Sequence, residues 1–147
     1  MTPTDRFECI HKQREPLPRI LLRQRSGGAE IAIDAAELLE QYAVSSSDTL
    51  LILDEDTPYE EQLHLVLVRR DKILDHILIG APYTAGVFRF VAASEGVLQF
   101  RFEGDAVWTV SAMQRAKRGF GGLPRGASRG GGFFAKRYLE LEHKDAA

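Results

Sequence analysis

From Thr49 to Ala112 the apolar pattern changes from the helical period of 3.6 toward a period of two, in short segments separated by turns. Period two is the signature of a half-buried strand. A short turn can only reverse the chain into an antiparallel neighbour, because a parallel crossover needs roughly a dozen residues or more. Thr49 to Leu53 reads as a brief buried strand. Gln62 to Arg69 puts Leu63, Leu65 and Leu67 on one face and His64, Val66 and Val68 on the other. Arg70-Asp71 reverses the chain, and Lys72 to Ile79 runs back. After a loop from Gly80 to Gly86, in which Tyr83 is a candidate recognition contact, Val87 to Val91 and Val97 to Glu103 form a second pair. In the latter Leu98, Phe100 and Phe102 alternate with Gln99, Arg101 and Glu103. Gly104-Asp105 is a two-residue hairpin signal, and Ala106 to Ala112 returns with Trp108 and Val110. The topology expected is an antiparallel meander.

Upstream, Arg19 to Arg25 reads as a first strand and Ala29 to Ile33 as a short partner. The next segment has the marks of a helix start. Asp34 is a good N-cap, Glu37 stands where it can reach back to the cap amide, and Ile33 and Leu38 fit a hydrophobic staple. With Leu39 and Tyr42 extending the apolar stripe, the pattern predicts a short helix from Ala35 to Ala43. Near the end, Phe134, Tyr138 and Leu141 recur at i, i+4 and i+7, which suggests a terminal helix; Phe133 to Glu142 also passes as a strand. The fold class expected is therefore α+β: a predominantly antiparallel, curved sheet able to close into a small barrel, one short helix packed on it, and a C-terminal helix as an option. The organisation expected is an irregular lead-in over residues 1–18, a single domain over 19–112, a Gly-rich cationic segment over 113–137, and a last element of the same domain over 138–147.

That cationic segment is the strongest functional signal. It carries Arg115, Lys117, Arg118, Arg125, Arg129, Lys136 and Arg137, and no carboxylate stands between Asp105 and Glu140. The chain has 19 basic and 21 acidic residues; without these seven charges the other 12 basic residues face 21 acidic ones, a balance of −9. A positive strip beside an acidic body suits two uses: gripping an external polyanion, or folding back on its own carboxylates. Arg118-Gly119-Phe120-Gly121-Gly122 and Arg129-Gly130-Gly131-Gly132-Phe133-Phe134 resemble, in composition, the RGG-type segments of RNA-binding proteins. The resemblance implies guanidinium forks on phosphates and Phe120, Phe133 or Phe134 stacked on unpaired bases.

Other chemistry is less well specified. Gly126-Ala127-Ser128-Arg129-Gly130 matches the string of a nucleophile elbow, but that turn needs a strand before it and a helix after it. Leu123-Pro124-Arg125 and a glycine run flank it instead. The acidic cluster Asp54, Glu55, Asp56, Glu60 and Glu61 lacks the spacing of a calcium loop, and Thr57-Pro58-Tyr59-Glu60 reads as a helix start. His64 and His76 lie symmetrically about Arg70. A three-residue turn would set them opposite each other as a zinc or proton-sensitive pair, whereas a two-residue turn would break the pair.

The polar stretch from Met1 to Arg14 has no apolar secretion core, and no apolar run approaches the roughly 20 residues that cross a bilayer. Cys9 is alone, which favours a reducing compartment. A cytoplasmic protein without a membrane partner, metal or cofactor is expected. No motif specifies a reaction. The reading is a non-enzymatic binding module presenting the strip to single-stranded nucleic acid or an acidic protein surface. Two alternatives stand beside it: a small-molecule pocket or enzyme using His64 and His76, and an assembly protein whose strip docks on its own or a neighbouring subunit's acids.

Overall fold

The computed structural model describes residues 1–55, 62–80, 86–117, 122–130 and 136–145. Among them there is no helix, and all regular structure is strand. In chain order these are β1 (Thr2–Pro3), β2 (Phe7–Gln13), β3 (Arg19–Gln24), β4 (Ile31–Ile33), β5 (Glu37–Ala43), β6 (Asp48–Asp54) and β7 (Leu63–Arg69). There follow β8 (Lys72–Ile79), β9 (Arg89–Ser94), β10 (Val97–Arg101), β11 (Val107–Lys117), β12 (Ala127–Arg129) and β13 (Arg137–Lys144). They form three antiparallel sheets: a six-stranded one in the order β1-β5-β6-β7-β8-β12, a four-stranded one, β13-β11-β10-β9, and a three-stranded one, β2-β3-β4.

The six-stranded sheet is the middle layer. On one face Leu50, Ile52, Leu63, Leu65, Leu67, Ile77 and Ile79 share a core with Leu98, Phe100, Trp108, Val110, Leu139 and Leu141 of the four-stranded sheet. On the other, Leu51, Leu53, Val66 and Val68 pack with Phe7, Ile20, Leu22, Ile31 and Ile33. β6 and β7 are thus covered on both sides, which explains why their sequences, Leu50-Leu51-Ile52-Leu53 and Leu63-His64-Leu65-Val66-Leu67-Val68, are nearly continuous apolar runs. An antiparallel strand with one wet face would alternate instead. Each such side chain, fully buried, contributes about 1.5–3 kcal/mol.

The α+β expectation is therefore corrected to all-β. The helix predicted over Ala35 to Ala43 is β5, and a bulge produced its apparent period. Leu38 pairs with Leu53 and Glu40 with Ile52, so Leu39 is an extra residue. The insertion puts Leu38 toward the three-stranded sheet and Tyr42 toward the other core. Two residues spaced i and i+4 thus serve opposite faces of a strand. Helix propensity is a weak prior, and here the ladder along β6 overrides it. The optional C-terminal helix is also a strand, β13, in which Leu139 and Leu141 are buried at period two against β11. The lead-in is ordered into β1 and β2: Thr2 and Pro3 pair with Ala43 and Tyr42, and β2 pairs along β3. Three separate sheets, rather than a barrel, enclose the cores.

Candidate functional site

Of the strip's residues, Arg118, Phe120, Phe133 and Phe134 lie outside the described residues, and so do Tyr83 of the loop and Asp56, Thr57, Pro58, Tyr59, Glu60 and Glu61 of the acidic stretch. The other six cations have different fates. Arg129 belongs to β12, whose Ala127 pairs with Ile79 and Arg129 with Ile77, and its side chain turns into the molecule. There Nε donates to Asp75 Oδ1 at 2.9 Å and Nη2 to the Leu139 carbonyl at 2.6 Å. The Arg129 side chain is 13% exposed and that of Asp75 2%, so this is a buried ion pair. Asp75 Oδ2 also accepts the amides of Tyr138 and Leu139, each at 2.9 Å. One carboxylate thereby ties β8 and β12 of the middle sheet to β13 of the outer one.

Lys117 Nζ meets Glu140 Oε1 at 2.7 Å on the surface, and this contact lowers the pKa of the Glu140 carboxyl. Arg137 pairs across the ladder with Lys117; among the described residues its buried Nε meets no acceptor. Arg115, Arg125 and Lys136 are exposed, and none makes an ion pair among the described residues. Arg125 sits apart from the rest, in a groove with Trp108, His143 and Asp105.

The remainder gather at one end because of Arg69, a residue outside the strip. Its guanidinium takes Asp48 bidentately at 2.8 and 3.1 Å, donates to the Gln114 carbonyl at 3.0 Å, and lies 5.5 Å from the centre of the Tyr138 ring. This fastens the β7–β8 turn to the end of β11 and the start of β13. The elements so joined carry Lys72 at the start of β8, Arg115 and Lys117 at the end of β11, Lys136 just before β13 and Arg137 at its start. A groove of about 590 Å³ lies there, lined by Ile73, Leu74, Asp75, His76, Lys136 and Tyr138, and Lys136 is the member of this set on its wall. Lys72 carried no signal in the sequence, since the fastening of its hairpin to β11 and β13 depends on tertiary packing.

The histidines meet, though not by the route expected. The turn has two residues, with Arg69 opposite Lys72, which alone would separate the imidazoles. A bulge after Val68–Ile73 leaves Leu74 unpaired, so Asp75 faces Leu67 and His76 faces Val66. The extra residue restores the phase and places His64 and His76 diagonally on one face. His64 Nδ1 lies 2.8 Å from His76 Nε2, and His64 Nε2 lies 3.0 Å from Glu55 Oε1. Burial lowers both imidazole pKa values to about 4, for His76 with the charge of His64 adding to the effect. Both rings are therefore neutral at pH 7. Between two neutral rings one nitrogen donates and the other accepts, so the tautomers of His64 and His76 are coupled. This row satisfies a buried polar residue on an apolar face. Among the described residues no group of three His, Cys, Asp or Glu side chains is placed to hold a metal ion. Leu65, Leu98, Phe100, Phe102 and Trp108 fill the space between the two larger sheets.

Comparison with known proteins finds no match: no family model, no curated protein and no solved structure aligns significantly with this chain. No helix among the described residues is long and apolar enough to cross a membrane.

Proposed function

We propose that this protein is a non-enzymatic binding module that holds single-stranded nucleic acid against its basic end. What supports the reading is the tether made by Arg69, which fastens the hairpin that carries Lys72 to Gln114, next to Arg115, and to Tyr138, next to Arg137. Phosphate binding needs such convergence of cations. Lys117 and Arg129, held by Glu140 and Asp75, lead in sequence into the stretches that contain Arg118 and the three phenylalanines. Stacking by Phe120, Phe133 and Phe134 would supply the sequence-tolerant part of the grip.

A second reading has a specific observation in its favour. Arg129 and Lys117 dock on Asp75 and Glu140 of the same chain, as an assembly protein with a self-docked strip would require. Apparent mass at low and high salt separates the two, since assembly through charge dissociates as salt rises. For the primary reading, fluorescence anisotropy of a labelled single-stranded oligonucleotide is followed through a salt series. The affinity should fall with a log–log slope of about −0.7 per phosphate contacted. Replacing Lys72, Arg115 and Lys136 together by Ala should make that slope shallower by about two. Unchanged affinity and slope in that triple variant would refute the assignment, and binding of an acidic protein but no oligonucleotide would transfer the surface to a protein partner.

A further inference from the structure

On the far side of the β7–β8 turn, three turns converge on a second groove of about 560 Å³. Gln24 and Gly27 come from the β3–β4 turn, Ser46 and Ser47 from the β5–β6 turn, and Arg70 and Asp71 from the β7–β8 turn; Arg6 and Thr49 complete the wall. We propose that this groove binds the phosphoryl group of a small phosphorylated polyol between the guanidinium groups of Arg6 and Arg70.

Arg6 is held in place before any ligand arrives. Its Nη1 donates to the carbonyl of Ser45 at 2.7 Å, to that of Asp48 at 3.1 Å, and to Thr49 Oγ1 at 3.2 Å. All three contacts use one nitrogen. A guanidinium has five N–H donors, and no acceptor among the described residues meets Nε or Nη2 of Arg6. A half-buried, immobilised fork with one edge unused is what bidentate recognition of a phosphoryl group requires.

Arg70 supplies the second observation. It has φ of 57°, in the left-handed region, at the first position of a two-residue hairpin turn. Glycine is the residue that such a position favours. A side chain kept in a disfavoured conformation at a groove mouth points to a use for that side chain. Its amide donates to the Ser47 carbonyl at 2.9 Å, which locks the turn against the β5–β6 turn. Asp71 narrows the ligand class. Its Oδ2 accepts the Ala29 amide at 3.3 Å, and a carboxylate in the groove disfavours a bare, highly charged anion. It suits a ligand with hydroxyls beside its phosphoryl group, for which Asp71, Gln24 and Ser46 are the partners.

The proposal does not depend on the nucleic-acid reading, since Arg6 and Arg70 lie outside the triple substitution that tests it. The experiment titrates ribose phosphate, ribose, inorganic phosphate and a single-stranded oligonucleotide into the full chain at fixed ionic strength. Amide shifts of Gly27, Ser46, Ser47 and Arg70 are followed by NMR. Ribose phosphate should saturate these shifts, inorganic phosphate should do so more weakly, and ribose alone should not. Arg70→Gly is the decisive variant because it removes a ligand group where glycine fits the backbone. Its melting temperature should rise while affinity for ribose phosphate falls about tenfold or more. The triple variant at Lys72, Arg115 and Lys136 should bind ribose phosphate as the parent does. Undiminished affinity in Arg70→Gly, or no saturation by ribose phosphate, overturns the proposal. So does a response of these amides to the oligonucleotide alone.

Discussion

Arg129 entered as a surface cation for an external partner, and its position inside the fold makes a sharply different prediction. Replacing it with Ala leaves Asp75 buried with its charge uncompensated and removes the bond to the Leu139 carbonyl. Breaking a buried ion pair by deleting one partner costs about 3–5 kcal/mol, whereas a surface charge costs less than about 0.5 kcal/mol. With a urea slope of about 2 kcal/mol/M, typical for a chain this size, the unfolding midpoint should fall by roughly 1.5–2.5 M. Asp75→Ala should cost at least as much. It strands the guanidinium and also orphans the amides of Tyr138 and Leu139, each worth about 1–3 kcal/mol when left unsatisfied and buried. Urea denaturation of both single variants and the double variant, followed by Trp108 fluorescence, measures all of these quantities. The single changes should be strongly non-additive, because most of each cost is the unpaired charge that the other change removes. An Arg129→Ala midpoint within about 0.3 M of the parent, a change of the size surface substitutions make, would refute the reasoning.

Two further outcomes follow from the packing. His64 and His76 have folded pKa values of about 4, below the unfolded value of about 6.5. The unfolded chain therefore takes up protons first, and stability should be lost as pH falls from about 6.5 toward 4, by roughly 2–3 kcal/mol for the buried His64. Urea midpoints at intervals across that window test the sign, and His64→Leu should flatten the dependence; a flat profile in the parent would contradict the assignment. At Gly86, an added Cβ would stand 2.8 Å from the ring of Phe102, a residue buried in the core. Gly86→Ala should cost about 1–3 kcal/mol by overpacking, and a melting temperature equal to the parent's would show that the ring yields freely.

Most of the sheet was legible in the sequence because its signal is local. The alternation of Leu98, Phe100 and Phe102 and the two-residue reversal at Arg70-Asp71 are properties of neighbouring residues. The two-residue hairpin expected at Gly104-Asp105 is instead a longer connection, because Phe100 faces Trp108. Two departures came from bulges, which are set by the partner strand. An extra residue at Leu39 imitated a helical period, and another at Leu74 rescued the histidine contact that a two-residue turn should have broken. The site was legible only as charge. The sequence marked the cations but not that Arg129 is spent internally, because Asp75 reads as one polar residue in a strand of mixed polarity. Arg6, Arg69 and Arg70 gain their meaning from turns brought together across the whole chain, and no spacing rule reaches that far.

The hairpin of β6 and β7 has no side of its own to offer water. Residues 1–35 supply its roof and residues 86–145 its floor, so neither end of the chain is trimmable decoration. A fragment starting at residue 36 would bare Leu51, Leu53, Val66 and Val68 as one continuous greasy panel. Such a panel invites stacking on its own kind. While the chain is being made, that middle hairpin must wait for the floor to be synthesised, and until then it is a natural client for whatever shields exposed sheets in the cell.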